Sequence, residues 1–166
     1  MSDLLVIGNQ LFVNGRSFRC AIGKGGFSRD KREGDGCTPL GIFAFRECWY
    51  RPDHVAVPET QLPLREIHQK DGWCDDSKSH DYNKHVKLPY SFSHERLWRD
   101  DRMYDLVIPM GYNDDPVVPG RGSAIFMHVA QEGFSPTEGC VALALGDLLA
   151  LLPDLSAKSQ IEIREK

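Results

Sequence analysis

Turn residues recur so closely in this sequence that few segments are long enough to be anything but short strands. "LLVIG", "QLFVNG" and "SFRCAIG" follow one another near the start, and "GIFAFRECWY", "YDLVIPMGY", "AIFMHVA" and "SQIEIRE" come later. Most alternate in part between apolar and polar residues, carry β-branched or aromatic side chains, and are parted by Gly, Asn or Asp. "GNQLFVNGR" reads as paired strands with Gly and Asn turns. A helix is expected from about Gly146 and Asp147, with Asp147 as its N-cap, through "LLALL" to the residue before Pro153. A second is expected in "SFSHERLWRDD", capped by Ser91 or Ser93. The fold class is therefore mainly β, with one or two short helices. Residues 51–103 are polar, aromatic and interrupted by Pro52, Pro58, Pro63 and Pro89, and read as a long irregular insert. Such a segment serves either as a wall over a site or as a surface excursion.

The 166 residues suit a single domain, 1–166, with a core of its own. Net charge is −4 and the basic residues are dispersed; "RDKREGDG" alternates its signs. No basic stripe suited to nucleic acid is present. No stretch approaches the roughly 18 apolar residues of a membrane span. The start, "MSDLLVIG", carries Asp3 where a secretory leader has Lys or Arg, and its apolar run is short. The expected location is cytoplasmic. The 5 cysteines are an odd number without a CxxC, which argues for reduced thiols over a disulfide framework or a zinc ribbon. Cys20 and Cys48 sit in apolar segments and read as core.

Chemistry concentrates in "GSAIFMHVAQEGFSPTEGCVAL". His128 closes an apolar run, and Cys140 follows a short Gly/Ser/Pro loop. A cysteine nucleophile must be reachable and close to a base, and His128 supplies one if the loop turns back on itself. Gly139 removes a side chain beside the thiol, and Thr137 opens the turn. N–H groups at a tight Gly-Cys turn form an oxyanion hole when they point together. Other clusters are weaker. Cys74, His80, Asp81 and His85 lack a familiar zinc spacing, and "GKGG" lacks the Lys-Ser/Thr of a phosphate loop. No metal or cofactor is expected.

"FMHVAQEGFSPTEGCVAL" resembles the signature of the YkuD-like L,D-transpeptidase family: a His ending a strand, then Ser/Thr-x-Gly-Cys. "TPLGIF" at residues 38–43 resembles the family's Thr-Pro-x-Gly-x-Phe segment, and residues 104–128 also look like a branch of the family. The resemblance implies a β-sandwich catalytic domain with Cys140 and His128 in a cleft. It implies attack by the cysteine on the L-centre carbonyl of an L-to-D peptide bond in a peptidoglycan stem peptide, typically diaminopimelate–D-Ala. It also implies a His oriented by a backbone carbonyl. Three features depart from the pattern: a short His-to-Cys loop, Glu138 before the Gly, and Ala142 after the signature.

Partners implied are stem peptides or muropeptides. Water as acceptor makes the protein an L,D-carboxypeptidase, and an amine acceptor makes it a transpeptidase. The expected cytoplasmic address favours the carboxypeptidase. A peptidoglycan-binding module without catalysis is the reading of another class. Substrate carboxylates call for a cation, for which Arg121 in "PGRGS" is the candidate, while Glu138, Asp76 and Tyr82 are further candidate contacts.

Overall fold

The computed structural model describes residues 3–166; Met1 and Ser2, at which the start was read, lie outside the described residues. The strands are β1 (Leu4–Ile7), β2 (Gln10–Val13), β3 (Arg16–Ala21), β4 (Phe27–Ser28) and β5 (Thr38–Pro39). Then come β6 (Gly41–Ala44), β7 (Cys48–Tyr50), β8 (Leu64–Glu66), β9 (Asp71–Cys74), β10 (His85–Lys87) and β11 (His94–Arg96). The chain closes with β12 (Leu106–Pro109), β13 (Phe126–Val129), β14 (Val141–Leu143), α1 (Leu145–Leu151) and β15 (Gln160–Arg164). The fold is mainly β, as expected, and the "LLVIG" to "SFRCAIG" run forms three consecutive antiparallel strands.

Ten strands form one mixed sheet in the order β6-β15-β1-β2-β3-β14-β13-β12-β7-β8. Apolar residues from both halves of it meet in one core: Val6 and Leu11 with Ile161 from one half, Ile108, Met127 and Val141 from the other. The sheet therefore curls over itself as a sandwich. A bridge between Phe45 and Met110 joins the β6 end to the β12 end. Leu148 and Leu151 of α1 plug the core. Ala144 is the N-cap of α1 and makes no side-chain cap bond; Asp147 lies in the first turn, where its charge suits the helix dipole. Packing of the leucines, rather than a cap, sets where this helix begins.

β12, β13 and β14 are buried on both faces, which accounts for their unbroken apolar runs. Successive side chains in a strand point to opposite faces. Met127, Val129, Val141 and Leu143 enter the main core, while Phe126 and Cys140 enter a second one with Trp49, Leu97 and Tyr104. The second core is where the insert docks.

The insert is more regular than its prolines suggest. β9 pairs with β10 and β11 in a three-stranded antiparallel sheet. The second expected helix is absent: its residues His94–Arg96 form β11 against Gly72, Trp73 and Cys74. An isolated helix of that length is marginal in water, and pairing with β9 satisfies the same backbone groups. Leu97 just beyond β11 is fully buried, and Glu95, two residues before it, is half-buried. Asn83, buried, fastens the small sheet to the large one. Its side chain donates to the carbonyls of Tyr112 (3.0 Å) and Asn113 (2.8 Å), and accepts from Trp73 Nε1 and the Ala124 N–H, each at 3.0 Å.

Candidate active site

The parallel pairing of β13 with β14 places His128 beside Ala142 and Met127 beside Val141. Cys140 lies two residues before Ala142, so it shares a sheet face with His128 on the neighbouring strand. Such diagonal neighbours have Cα atoms about 7–8 Å apart, within reach of one long and one short side chain. Ala142, 1% exposed, leaves room for the imidazole beside it.

The Cys140 turn is built by Thr137. Its hydroxyl donates to the Cys140 carbonyl at 2.7 Å and accepts the Gly139 N–H at 3.1 Å. Thr137 is itself anchored to the loop after β3: its N–H donates to the Ile22 carbonyl (2.9 Å), and its carbonyl accepts the Lys24 N–H (2.8 Å). Gly139 has φ +138°, a region that favours glycine. Its N–H is taken by Thr137, so Gly139 and Thr137 here shape the turn; the Gly139 N–H does not point out as an oxyanion donor.

The Cys140 thiol is buried. Its S–H donates to the Ala124 carbonyl at 3.2 Å, and its sulfur accepts the Phe126 N–H at 3.4 Å. Burial pushes the thiol up to about 12; the Phe126 N–H and the Lys31 charge act against this, and Glu95 and Glu138 act with it. Ala124 holds φ +54°, strained for a residue with a Cβ, and Asn83 pins its N–H. His128 Nδ1 lies 2.9 Å from the Val129 carbonyl. A carbonyl only accepts, so Nδ1 carries the proton and Nε2 keeps its lone pair as a base. Burial lowers the imidazole to about 4, with the Arg99 charge adding to the effect, while the Val129 carbonyl opposes it. At neutral pH the pair rests as thiol and neutral imidazole. The thiol turns to Ala124 in this resting arrangement.

A cavity of about 300 Å³ opens on both residues. Lys31, Glu33, Asp75, Glu95, Arg99, Met103, Tyr104 and Ser123 line it, along with Glu138 at the rim. Tyr104 stands edge-on to the imidazole with ring centres 5.4 Å apart, and its hydroxyl donates to Glu95. Burial raises the Glu95 carboxyl to about 7 in spite of that bond. The insert therefore does form a wall of the cleft, through Asp75, Glu95, Arg99 and Met103.

The sequence-predicted contacts fare differently. Glu138 is at the rim, where it pairs with Lys24 at 2.9 Å. Arg121 is outside the cavity lining and pairs with Asp30 at 2.9 Å. Asp76 is also outside it, its carboxylate accepting the N–H groups of Lys78 (3.0 Å) and Ser93 (3.2 Å); its neighbour Asp75 lines the cavity instead. Tyr82 is buried scaffold: its hydroxyl donates to Glu33 (2.7 Å) and accepts the Gly122 N–H (3.0 Å). Of the weak metal cluster, His85 turns to Asp71 (2.7 Å) and Asp81 accepts from Tyr90 (3.0 Å). No group of three or more His, Cys, Asp or Glu among the described residues is arranged to hold a metal ion. Lys31, Glu95 and Arg99 were missed, because "RDKREGDG" and "SFSHERLWRDD" read as solvated charge and helix. The period of two linking Glu95 to Leu97 was the one available sign that Glu95 turns inward.

The L,D-transpeptidase catalytic domain of the YkuD family matches residues 4–163. The chain belongs to that family. No curated protein matches it. Among solved structures, L,D-transpeptidase 1 of Mycobacterium tuberculosis matches with a TM-score of 0.41 and 11% identity, over 96% of this chain and 58% of that one. An L,D-transpeptidase from Mycobacterium smegmatis matches with a TM-score of 0.43 and 12% identity, over 98% of this chain and 59% of that one. The YkuD chain described here thus spans under three fifths of either. No helix among its described residues is long and apolar enough to cross a membrane.

Proposed function

We propose that Cys140 and His128 hydrolyse the L,D peptide bond of free peptidoglycan stem tetrapeptides, so that the protein acts as an L,D-carboxypeptidase in the cytoplasm. The observation that carries the chemistry is the placement of both side chains on one sheet face, opening into one cavity. Nε2 of His128 takes the thiol proton as Sγ attacks the carbonyl of the L-centre. The tetrahedral intermediate collapses, the bond to nitrogen breaks, and the imidazolium protonates the departing D-Ala amine. The acyl group remains on sulfur as a thioester. Water, deprotonated by the same imidazole, attacks the thioester, and the sulfur leaves and regains its proton.

Water as the acceptor is supported by the size of the cleft. About 300 Å³ is the lower end of small-ligand sites and takes the end of one stem peptide. A water molecule fits beside the thioester there; a second stem peptide needs room of its own. The test is incubation with a disaccharide-tetrapeptide followed by mass measurement of the products. Tripeptide with free D-Ala is the expected result. A cross-linked dimer, or exchange with an added D-amino acid, makes the protein a transpeptidase instead, and no product with either acceptor makes it a binding module.

A further inference from the structure

Lys31 belongs to a stretch of alternating charge, yet its side chain is only 4% exposed. It lies between two glycines at positive φ. A Cβ on Gly122 would stand 3.0 Å from its Cε, and a Cβ on Gly139 would stand 3.5 Å from its Nζ. The ammonium is thereby set against the turn that carries Cys140. Asp35 Oδ1 accepts from it at 2.8 Å and the Arg32 carbonyl at 3.4 Å. Asp35 is fixed in turn by the N–H groups of Arg32 (2.8 Å) and Cys37 (2.9 Å). An ammonium has three donors, and the remaining one is free for the cavity that Lys31 lines.

Burying a lysine costs desolvation that an exposed Lys–Asp pair avoids. What the burial achieves is a cation at one particular place. The rest of the cleft disfavours anions. Glu33, Asp75, Glu95 and Glu138 line it, and Arg99, the other cation there, is bound to Asp101 and sits over the Tyr104 ring, 5.1 Å from its centre. The titratable and charged groups that share the cavity with the thiol are His128 from β13, Glu95 from β11, Asp75 after β9, Arg99 and Tyr104 before β12, Glu138 from its own turn, and Glu33 and Lys31. Covalent catalysis by Cys140 puts negative charge on sulfur and then on the substrate carbonyl oxygen, and the Gly139 N–H is already engaged by Thr137. Fixed charge aimed at such atoms in a water-poor site is effective because it needs no reorganisation.

We propose that the Lys31 ammonium, held by Asp35, is the electrostatic stabiliser of the Cys140 thiolate and of the oxyanion formed when Cys140 attacks. The oxyanion half rests on the peptidase reading above; the thiolate half does not. Burial raises the thiol, and Lys31 is the charged side chain that counters it, against Glu95 and Glu138.

The experiment is alkylation by iodoacetamide from pH 6 to pH 10, with adducts assigned by peptide mass spectrometry. Free N-acetylcysteine in the same reaction serves as the reference thiol, since Cys37 donates its N–H to Asp35, the partner of Lys31. In Lys31→Met, alkylation of Cys140 slows about tenfold or more at every pH in this range, as a thiol raised by about one pH unit would. N-acetylcysteine is unchanged, and Lys31→Arg recovers most of the rate. Tetrapeptide hydrolysis by Lys31→Met loses kcat with KM little changed. Unaltered alkylation of Cys140 in folded Lys31→Met overturns the proposal, as does a raised KM with normal alkylation, which assigns Lys31 to a substrate carboxylate. Lys31→Gln, which keeps a donor for Asp35, is the second variant should Lys31→Met unfold. Failure of both to fold makes Lys31 structural and overturns the role. Iodoacetamide needs no stem peptide, so a slowed thiol in a protein that leaves tetrapeptide intact refutes the carboxypeptidase and not the Lys31–Cys140 coupling.

Discussion

The carbonyl oxygen of Cys37 stands 2.8 Å from the point where a Cβ on Gly139 would be. Two segments remote in sequence, the loop before β5 and the turn before β14, are thus packed backbone to backbone at the nucleophile. Gly139→Ala meets both this oxygen and an unfavourable φ of +138°. It is expected to cost about 2 kcal/mol or more of stability and to lower kcat/KM at least about a hundredfold, since backbone cannot give way as a side chain can. Gly120→Ala, at φ +82° with nothing within 4 Å of its Cβ, is the control, and costs about 1–2 kcal/mol with turnover spared. Urea denaturation and tetrapeptide kinetics on the two variants check this. Equal effects of the two would remove the close packing as the cause.

Cys140→Ala is expected to fold and to lose all turnover, because the covalent route goes with the thiol. Cys20 and Cys48, whose thiols burial raises to about 12, lie in the main core. Their alanine variants are expected to lose about 1 kcal/mol of stability and keep full activity. Residual turnover in folded Cys140→Ala would show that another group is the nucleophile.

Thr137→Val removes both hydrogen bonds of the hydroxyl while keeping its shape. The buried Gly139 N–H and Cys140 carbonyl then lose their partner, at a cost of about 1–3 kcal/mol. Thr137→Ser keeps both bonds and is expected to behave nearly as the parent. A Thr137→Val protein that melts and turns over like Thr137→Ser would rule out the hydroxyl as the builder of the turn.

Two desolvated groups set opposite pH trends in stability. His128 titrates near 4 in the folded protein, chiefly through burial, against 6.5 for an ordinary histidine. Between these values the unfolded chain binds the proton and the native one does not, so stability falls as pH drops through 6.5 toward 4. Glu95 titrates near 7, again through burial, against 4.5. There the native state holds a proton that the unfolded chain has released, so stability falls as pH rises from 4.5 to 7. His128→Gln is expected to flatten the acid-side loss. Glu95→Gln is expected to raise the urea midpoint at pH 8 and leave it unchanged at pH 4. Midpoints measured from pH 4 to pH 8 that keep the parent's slope in both variants would contradict these assignments.

Arg121→Ala and Asp76→Ala are each expected to leave kcat/KM on tetrapeptide within twofold of the parent. Arg121 pairs with Asp30 outside the cavity, and Asp76 is spent on the N–H groups of its own loop. A tenfold loss in either would place a substrate contact beyond the cleft walls seen here.

The main strands were legible because their signals are local. β1, β2 and β3 follow from apolar residues parted by Gly and Asn, and the buried β12 and β13 from unbroken apolar runs. The His128–Thr137–Gly139–Cys140 grouping was also legible, since parallel pairing of β13 with β14 needs only a short return of the chain. Tertiary structure decided what surrounds the thiol. The three strands of the insert's small sheet satisfy one another's backbone across gaps of many residues, so proline-broken sequence conceals them and "SFSHERLWRDD" mimics a helix. Nothing local distinguishes Arg121, an exposed turn cation, from Lys31, a buried one, because burial is conferred by Gly122 and Gly139, about a hundred residues away in the chain. The residue types able to break a peptide bond are written in the sequence. The charges that act on them are set by long-range packing, whose partners no local pattern specifies.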